Sequence, residues 1–168
     1  LPSVIEYTKQ ILNKTPGYNI HGMDLTKEIQ KNGKIQDVMD KKTLLLVQIL
    51  KEPISTKGPR LSCEITIPGR YLVLTPFSNA VTISKKIVNP DERKRLQVLI
   101  ESIKPQNFGI IARTAAEGHK VADLHDEITA LELKWQTIQD NIDEAKGPRK
   151  VLSEADKTAL ESYLLKNE

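Results

Sequence analysis

Between Val121 and Ala145, seven apolar residues recur at intervals of three or four: Val121, Leu124, Ile128, Leu131, Trp135, Ile138 and Ile142. That period places them on one face of a long α-helix, and a stripe of this length must be covered by something. Sustained over three heptads, it has the pattern of a coiled-coil seam. The reading adopted is one helix packed on a sheet or on a neighbouring helix; a homodimer seam is the alternative. Gly147-Pro148 ends the helix, and Ser153 with Asp156 has the spacing of a capping box that opens a last short helix.

Upstream the period changes. Leu44 to Leu50 is a compact apolar run expected to be a buried strand. Leu61, Cys63, Ile65 and Ile67 alternate with Ser62, Glu64 and Thr66, which predicts a half-buried strand stopped by Pro68-Gly69. Tyr71 to Leu74 and Val81 to Ile87 read as two more strands, and Phe108 to Ala112 as a short buried one. Between them a helix is expected from Asn89, a good N-cap, followed by Pro90 at the first helical position and by Asp91 and Glu92 at the positive end of the dipole. Its stripe is Leu96, Leu99, Ile100 and Ile103. Near the start, Val4, Thr8, Ile11 and Leu12 share a helical face, after which residues 13–22 read as loop and residues 24–42 are dominated by charge. The fold class expected is α+β.

The 168 residues suit one mid-sized domain or two small ones, and 39% hydrophobic with 28% charged residues is a globular composition. No apolar run approaches the roughly 20 residues of a membrane span. The start, Leu1-Pro2-Ser3, lacks the basic and apolar blocks of a signal peptide and an initiator Met, and reads as a trimmed or excised segment. The one cysteine, Cys63, excludes an internal disulfide and a cysteine metal cluster, and a reducing cytoplasm is the expected home. A net charge of +3 admits a nucleic-acid partner without requiring one.

Few residues carry the signs of catalysis. His21, His119 and His125 are scattered, outside any HExxH spacing, and read as surface or turn residues. There is no GxSxG elbow, Walker loop or GxGxxG. The carboxylates Asp91-Glu92 and Asp123-Asp126-Glu127 read as solvated helix faces rather than as a paired-carboxylate metal site. Basic residues are more suggestive: Lys85-Lys86 after a strand, Arg93-Lys94-Arg95 in the next helix, and Lys51, Lys57 and Arg60 around the Gly58-Pro59 turn are all candidates to face phosphates. Arg113-Thr114 stands out, at the end of an apolar strand and before Ala115-Ala116-Glu117-Gly118. An arginine fork holds phosphate oxygens through parallel hydrogen bonds, and a neighbouring threonine adds a hydroxyl and an N–H. An arginine capping nearby carbonyls is the plainer alternative.

The stretch from about Gly33 to Leu164 resembles the ribonuclease E/G family of bacterial endoribonucleases. The resemblance rests on Val47-Gln48-Ile49-Leu50-Lys51-Glu52, Thr56-Lys57-Gly58-Pro59-Arg60-Leu61, Pro68-Gly69-Arg70-Tyr71-Leu72-Val73-Leu74-Thr75-Pro76, Ile83-Ser84-Lys85-Lys86-Ile87 and, above all, Ile110-Ile111-Ala112-Arg113-Thr114-Ala115-Ala116-Glu117-Gly118, in that order and spacing. In style it is most similar to the ribonuclease G members of the Bacteroidetes type.

The resemblance implies a partial oligonucleotide-binding β-barrel over residues 1–67, a small α+β domain sensing the 5′-monophosphate of RNA over residues 69–146, and the start of a ribonuclease H-like part over residues 147–168. By the same resemblance Arg113 grips the 5′-phosphate, Thr114 bonds it, and the Gly69 backbone holds the arginine. Val73 lies under the first nucleotide, Lys85 is a basic position beside the pocket, and Lys57 contacts single-stranded RNA. Lys85-Lys86 stands where the family usually has two arginines, which keeps charge but loses the planar fork, and Lys42 stands where a turn glycine is common. The family's catalytic aspartates and cysteine zinc link are expected beyond Glu168. The segment is therefore expected to hold no catalytic residue, metal or cofactor of its own, with magnesium serving the cutting part of the whole enzyme. The implied partner is single-stranded RNA with a 5′-monophosphate, in rRNA and mRNA processing and decay, with homo-oligomers common in the family. A non-catalytic RNA-binding or oligomerisation module is the alternative.

Overall fold

In the structure, a computed structural model that describes residues 2–25, 33–37 and 39–153, the chain is α+β. Helix α1 (Pro2–Leu12) is followed by a two-stranded ribbon, β1 (Gln48–Lys51) and β2 (Arg60–Ser62). Then come β3 (Ile67–Pro68), β4 (Leu72–Pro76), β5 (Val81–Ile83), α2 (Pro90–Ile103), β6 (Phe108–Ala112) and α3 (Val121–Asp143). The last four strands form one sheet in the order β3-β4-β6-β5. β4 runs antiparallel to β3 and β6, whereas β5 and β6 are parallel and α2 makes the crossover that parallel neighbours require.

Alternation decides which face of this sheet is covered. Leu72 pairs with Ala112 and Leu74 with Ile110, and all four side chains are buried under the helices. Their neighbours Val73 and Ile111, also paired, point to the opposite, more open face. At the far end of the sheet Gly109 is required: a Cβ there would run into the Thr75 hydroxyl and lie 2.8 Å from the Ala80 carbonyl.

α2 starts as its sequence dictates. The Asn89 side chain accepts the N–H groups of Asp91 (2.9 Å) and Glu92 (3.2 Å), Pro90 follows, and Leu96 and Ile100 are fully buried. In α3 the six apolar residues from Leu124 to Ile142 are buried, spent on α1, α2, β3 and β4 of the same chain. The stripe is thus a packing face and not an open seam. Val121, at its beginning, is exposed.

α1 lies on α3. Val4, Thr8 and Ile11 are buried as their spacing predicts, but the anchor is Tyr7. It is wholly buried, its hydroxyl donates to Gln139 Oε1 at 2.8 Å, and its ring meets Phe77 and Trp135 at 5.3 Å each. Burial pushes the Tyr7 phenol well above its ordinary pKa. Asn107, in left-handed conformation (φ 63°), joins the segment after α1 to the sheet by donating its side-chain amide to the Ile20 and Met23 carbonyls, both at 2.8 Å.

Three strand expectations are corrected. The run from Leu44 to Leu50 is not a buried strand: pairing begins at Gln48, β1 has only β2 as a neighbour among the described residues, and Ile49 is 62% exposed. The strand expected from Leu61 to Ile67 is split. The Ser62 hydroxyl accepts the Glu64 N–H (3.0 Å), an ST-turn that ends β2, and the Gln48 side chain occupies both the N–H and the C=O of Thr66 (2.9 and 3.1 Å). The strand from Val81 stops at Ile83 because Ser84 turns the chain, its carbonyl accepting the Ile87 N–H at 3.1 Å. No closed barrel forms among the described residues, where the strands before residue 67 are the two of the ribbon. Of the capping box expected at Ser153 and Asp156, Asp156 lies outside the described residues, as do residues 154–168 as a whole.

Candidate nucleic-acid interface at the end of the sheet

Arg113 extends β6 by one residue. Its backbone is extended (φ −78°, ψ 164°) and its N–H donates to the Tyr71 carbonyl at 2.8 Å. Alternation through Ile111 therefore brings the Arg113 side chain to the open face of the sheet. There its Nη1 donates to the Gly69 carbonyl at 2.6 Å. A guanidinium has five donors, so this bond fixes the group and leaves others for a ligand. Thr114 opens a 3₁₀ turn, and its Oγ1 lies 3.3 Å from Ser84 Oγ. These groups border an open cleft of about 500 Å³. Three cationic side chains, Arg70, Lys86 and Arg113, line it with the hydroxyls of Ser84 and Thr114 and the apolar Ile111, Ala112 and Ala115.

The three loops that meet here are each held from behind by a helix. Glu127 of α3 accepts the N–H groups of Arg70, Tyr71 and Leu72 at 2.6, 2.8 and 2.7 Å. Gly69 permits that approach, since a Cβ on it would lie 2.7 Å from the Glu127 carboxyl carbon. Arg93 of α2 donates Nη1 to the carbonyls of Ser84 (2.7 Å) and Ile87 (2.9 Å), which shapes the turn carrying Lys85 and Lys86. Arg95 forms a two-bond pair with Glu92 (2.7 Å each), and together they hold the loop after Thr114: Arg95 Nη1 donates to the His119 carbonyl (3.0 Å) and Glu92 Oε1 accepts the Gly118 N–H (2.8 Å). Arg95, and then the Gly118 N–H, hold the Glu92 carboxyl down to a pKa of about 2.

Two expectations are corrected by these bonds. Arg93 and Arg95 are not among the residues that line the cleft: Arg93 is spread over the Ser84, Ile87 and Ile83 carbonyls, and Arg95 over the Glu92 carboxylate and the His119 carbonyl. Glu92 and Glu127 are not solvated residues, because each is committed to backbone N–H groups. Their commitment also bears on metal binding. Among the described residues no group of three or more His, Cys, Asp or Glu gathers, and these two carboxylates already serve other donors. No hydrolytic step is assigned to the described residues.

The sequence pattern of the ribonuclease E/G family matches residues 66–164, more than half of the chain. The chain belongs to the ribonuclease E/G family. It is 39% identical over 114 residues to the ribonuclease E of Nostoc sp., an alignment covering 68% of this chain and 17% of that protein. With a ribonuclease E/G-like protein of Porphyra purpurea it shares 44% over 105 residues, 62% of this chain and 20% of the relative. With the ribonuclease G of Escherichia coli K12 it shares 38% over 96 residues, 57% and 20%. The chain spans about a fifth or less of the length of these curated relatives.

Within this ribonuclease E/G segment the expected site residues separate into groups. Arg113, Thr114 and Gly69 are brought together, and Val73 stands opposite Ile111 on the same open face. Lys85 is exposed in the adjoining turn, but Lys86 is the lysine that lines the cleft. Lys57 lies in the loop that joins β1 to β2, bridged to Ile54, and is not one of the cleft's lining residues. Sequence reading missed Ser84, Arg70 and Glu127. Arg70 had a local signal, a cation directly after the strand-breaking glycine, whereas Glu127 lies 57 residues from Arg70 and had none. Of the histidines, His21 Nδ1 is 3.1 Å from the Gln106 carbonyl, His125 is exposed on α3, and His119 stacks on Tyr71 with ring centres 4.1 Å apart. Among the described residues no helix is long and apolar enough to cross a membrane.

Proposed function

We propose that this cleft binds the 5′-monophosphate of single-stranded RNA, so that the segment recognises substrate ends for an endoribonuclease of RNA processing and decay. The observation that carries the reading is the Arg113 fork, aligned by the Gly69 carbonyl at 2.6 Å, beside the paired hydroxyls of Thr114 and Ser84. A terminal phosphate at neutral pH carries about −1.5 to −2 charges and three acceptor oxygens, which suits a fork and two hydroxyls. A 5′-hydroxyl leaves the arginine without its ion. The names of the relatives, ribonuclease E and ribonuclease G, support an RNA substrate. In this reading Val73 and Ile111 form an apolar seat for the first nucleotide, Lys85 adds charge at the rim, and Lys57 meets RNA from the loop that joins β1 to β2. Cutting, and the magnesium it uses, belong to other parts of the enzyme, with the cytoplasm as its setting.

The test is binding of a short RNA with a 5′-monophosphate against one with a 5′-hydroxyl, at fixed salt. The native chain is expected to prefer the monophosphate, and Arg113→Ala to bind both alike. Retained discrimination in Arg113→Ala would refute the assignment.

A further inference from the structure

The cleft holds more positive charge than one terminal phosphate uses. Arg113 and the Thr114–Ser84 hydroxyl pair account for the terminal group, which leaves Arg70 and Lys86 on the same lining. No carboxylate is among the cleft's described lining residues. Arg70 is also set in place before any ligand arrives. Its backbone N–H is held by Glu127 at 2.6 Å, and its guanidinium lies over the Tyr71 ring at 5.3 Å. That ring is itself backed by His119. A guanidinium restrained in this way loses less freedom when it binds an anion than an unrestrained one does.

We propose that Arg70 and Lys86 form a second anion subsite, which takes the first phosphodiester after the terminal phosphate. The inference rests on the terminal-phosphate reading above and deepens it. Three cationic side chains then face about three negative charges, roughly two on the monoester and one on the diester. The ligand class becomes a 5′-phosphorylated oligonucleotide, and a mononucleotide leaves the second subsite empty. Arg70 supplies a planar fork to the two free oxygens of the diester, and Lys86 supplies a point charge from the opposite wall.

Three short trinucleotides test this at fixed salt: one with a 5′-phosphate and natural linkages, one with a 5′-phosphate and an uncharged methylphosphonate as the first linkage, and one with a 5′-hydroxyl and natural linkages. The native chain is expected to bind the methylphosphonate about tenfold more weakly than the natural 5′-phosphorylated form, the scale of one charge-assisted contact. Arg70→Gln should bind those two within about twofold while still preferring phosphate to hydroxyl; Lys86→Gln should narrow the gap in the same direction. Both side chains are exposed, and the Glu127 contact is to the Arg70 backbone, so neither substitution disturbs the fold. Equal binding of the natural and methylphosphonate forms by the native chain, with the phosphate preference intact, overturns the second subsite alone. Loss of the phosphate preference in the native chain overturns the terminal-phosphate reading beneath it. An undiminished gap in Arg70→Gln overturns the part given to Arg70.

Discussion

The ribbon β1–β2 and the cleft are both built of short strands and loops, yet they are held in opposite ways. The ribbon presents Ile49, Leu50 and Leu61 to solvent, and among the described residues its two strands pair only with each other. The loops of the cleft are largely polar and more exposed in sequence character, but each is tied by a charged side chain on a helix whose other face is in the core. What fixes the loops is the number of backbone donors and acceptors satisfied by side chains that cannot move away.

The largest expected effect comes from removing such a tie. Glu127→Ala strips the acceptor from three N–H groups and should cost about 3 kcal/mol in denaturant unfolding, given that hydrogen bonds to charged groups contribute roughly 1.5–3 kcal/mol each and water replaces part of the loss. It should also weaken the preference for 5′-phosphorylated RNA, since the Gly69 carbonyl that aligns Arg113 belongs to the same loop. Unchanged stability with unchanged preference would remove the distinction between the two regions.

A smaller effect is expected from pH. The Glu92 carboxyl is depressed from 4.5 to about 2 in the folded chain, so its contribution is fully present above about pH 4.5 and is lost as pH falls through about 2. The stability difference between the native chain and Glu92→Gln should therefore narrow as pH falls across that window. A difference that stays constant from pH 6 to pH 2 would show that Glu92 is not held in its charged form by Arg95 and Gly118. The smallest effect belongs to the ribbon: Ile49→Thr, at a 62% exposed position, should shift stability by no more than about 0.5 kcal/mol. A loss several times larger would mean that the ribbon is tied to the core as the cleft loops are.

Local patterns were legible in the sequence wherever one short segment held all the information. The Asn89-Pro90 start of α2, the full length of β6 and the buried stripe of α3 each follow from a cap, an apolar run or a period. Arg113-Thr114 was legible as a candidate because its strand end and its chemistry are adjacent. Glu127 was not, since a carboxylate on a helix has the same local signature whether it meets water or a loop 55 to 57 residues away. The choice between Lys85 and Lys86 was not legible either. It depends on a turn of a few residues whose shape is set by Arg93, and pattern alone does not orient adjacent side chains in a turn.

The crossover helix α2 has one more consequence. Arg93 and Arg95 are two positions apart, so they leave the helix about 200° from one another. One reaches the turn after β5 and the other the loop after β6. The aperture between those two walls is thus governed by a single strut. Residues seated under the helix, such as Leu96 and Ile100, therefore sit behind both walls at once.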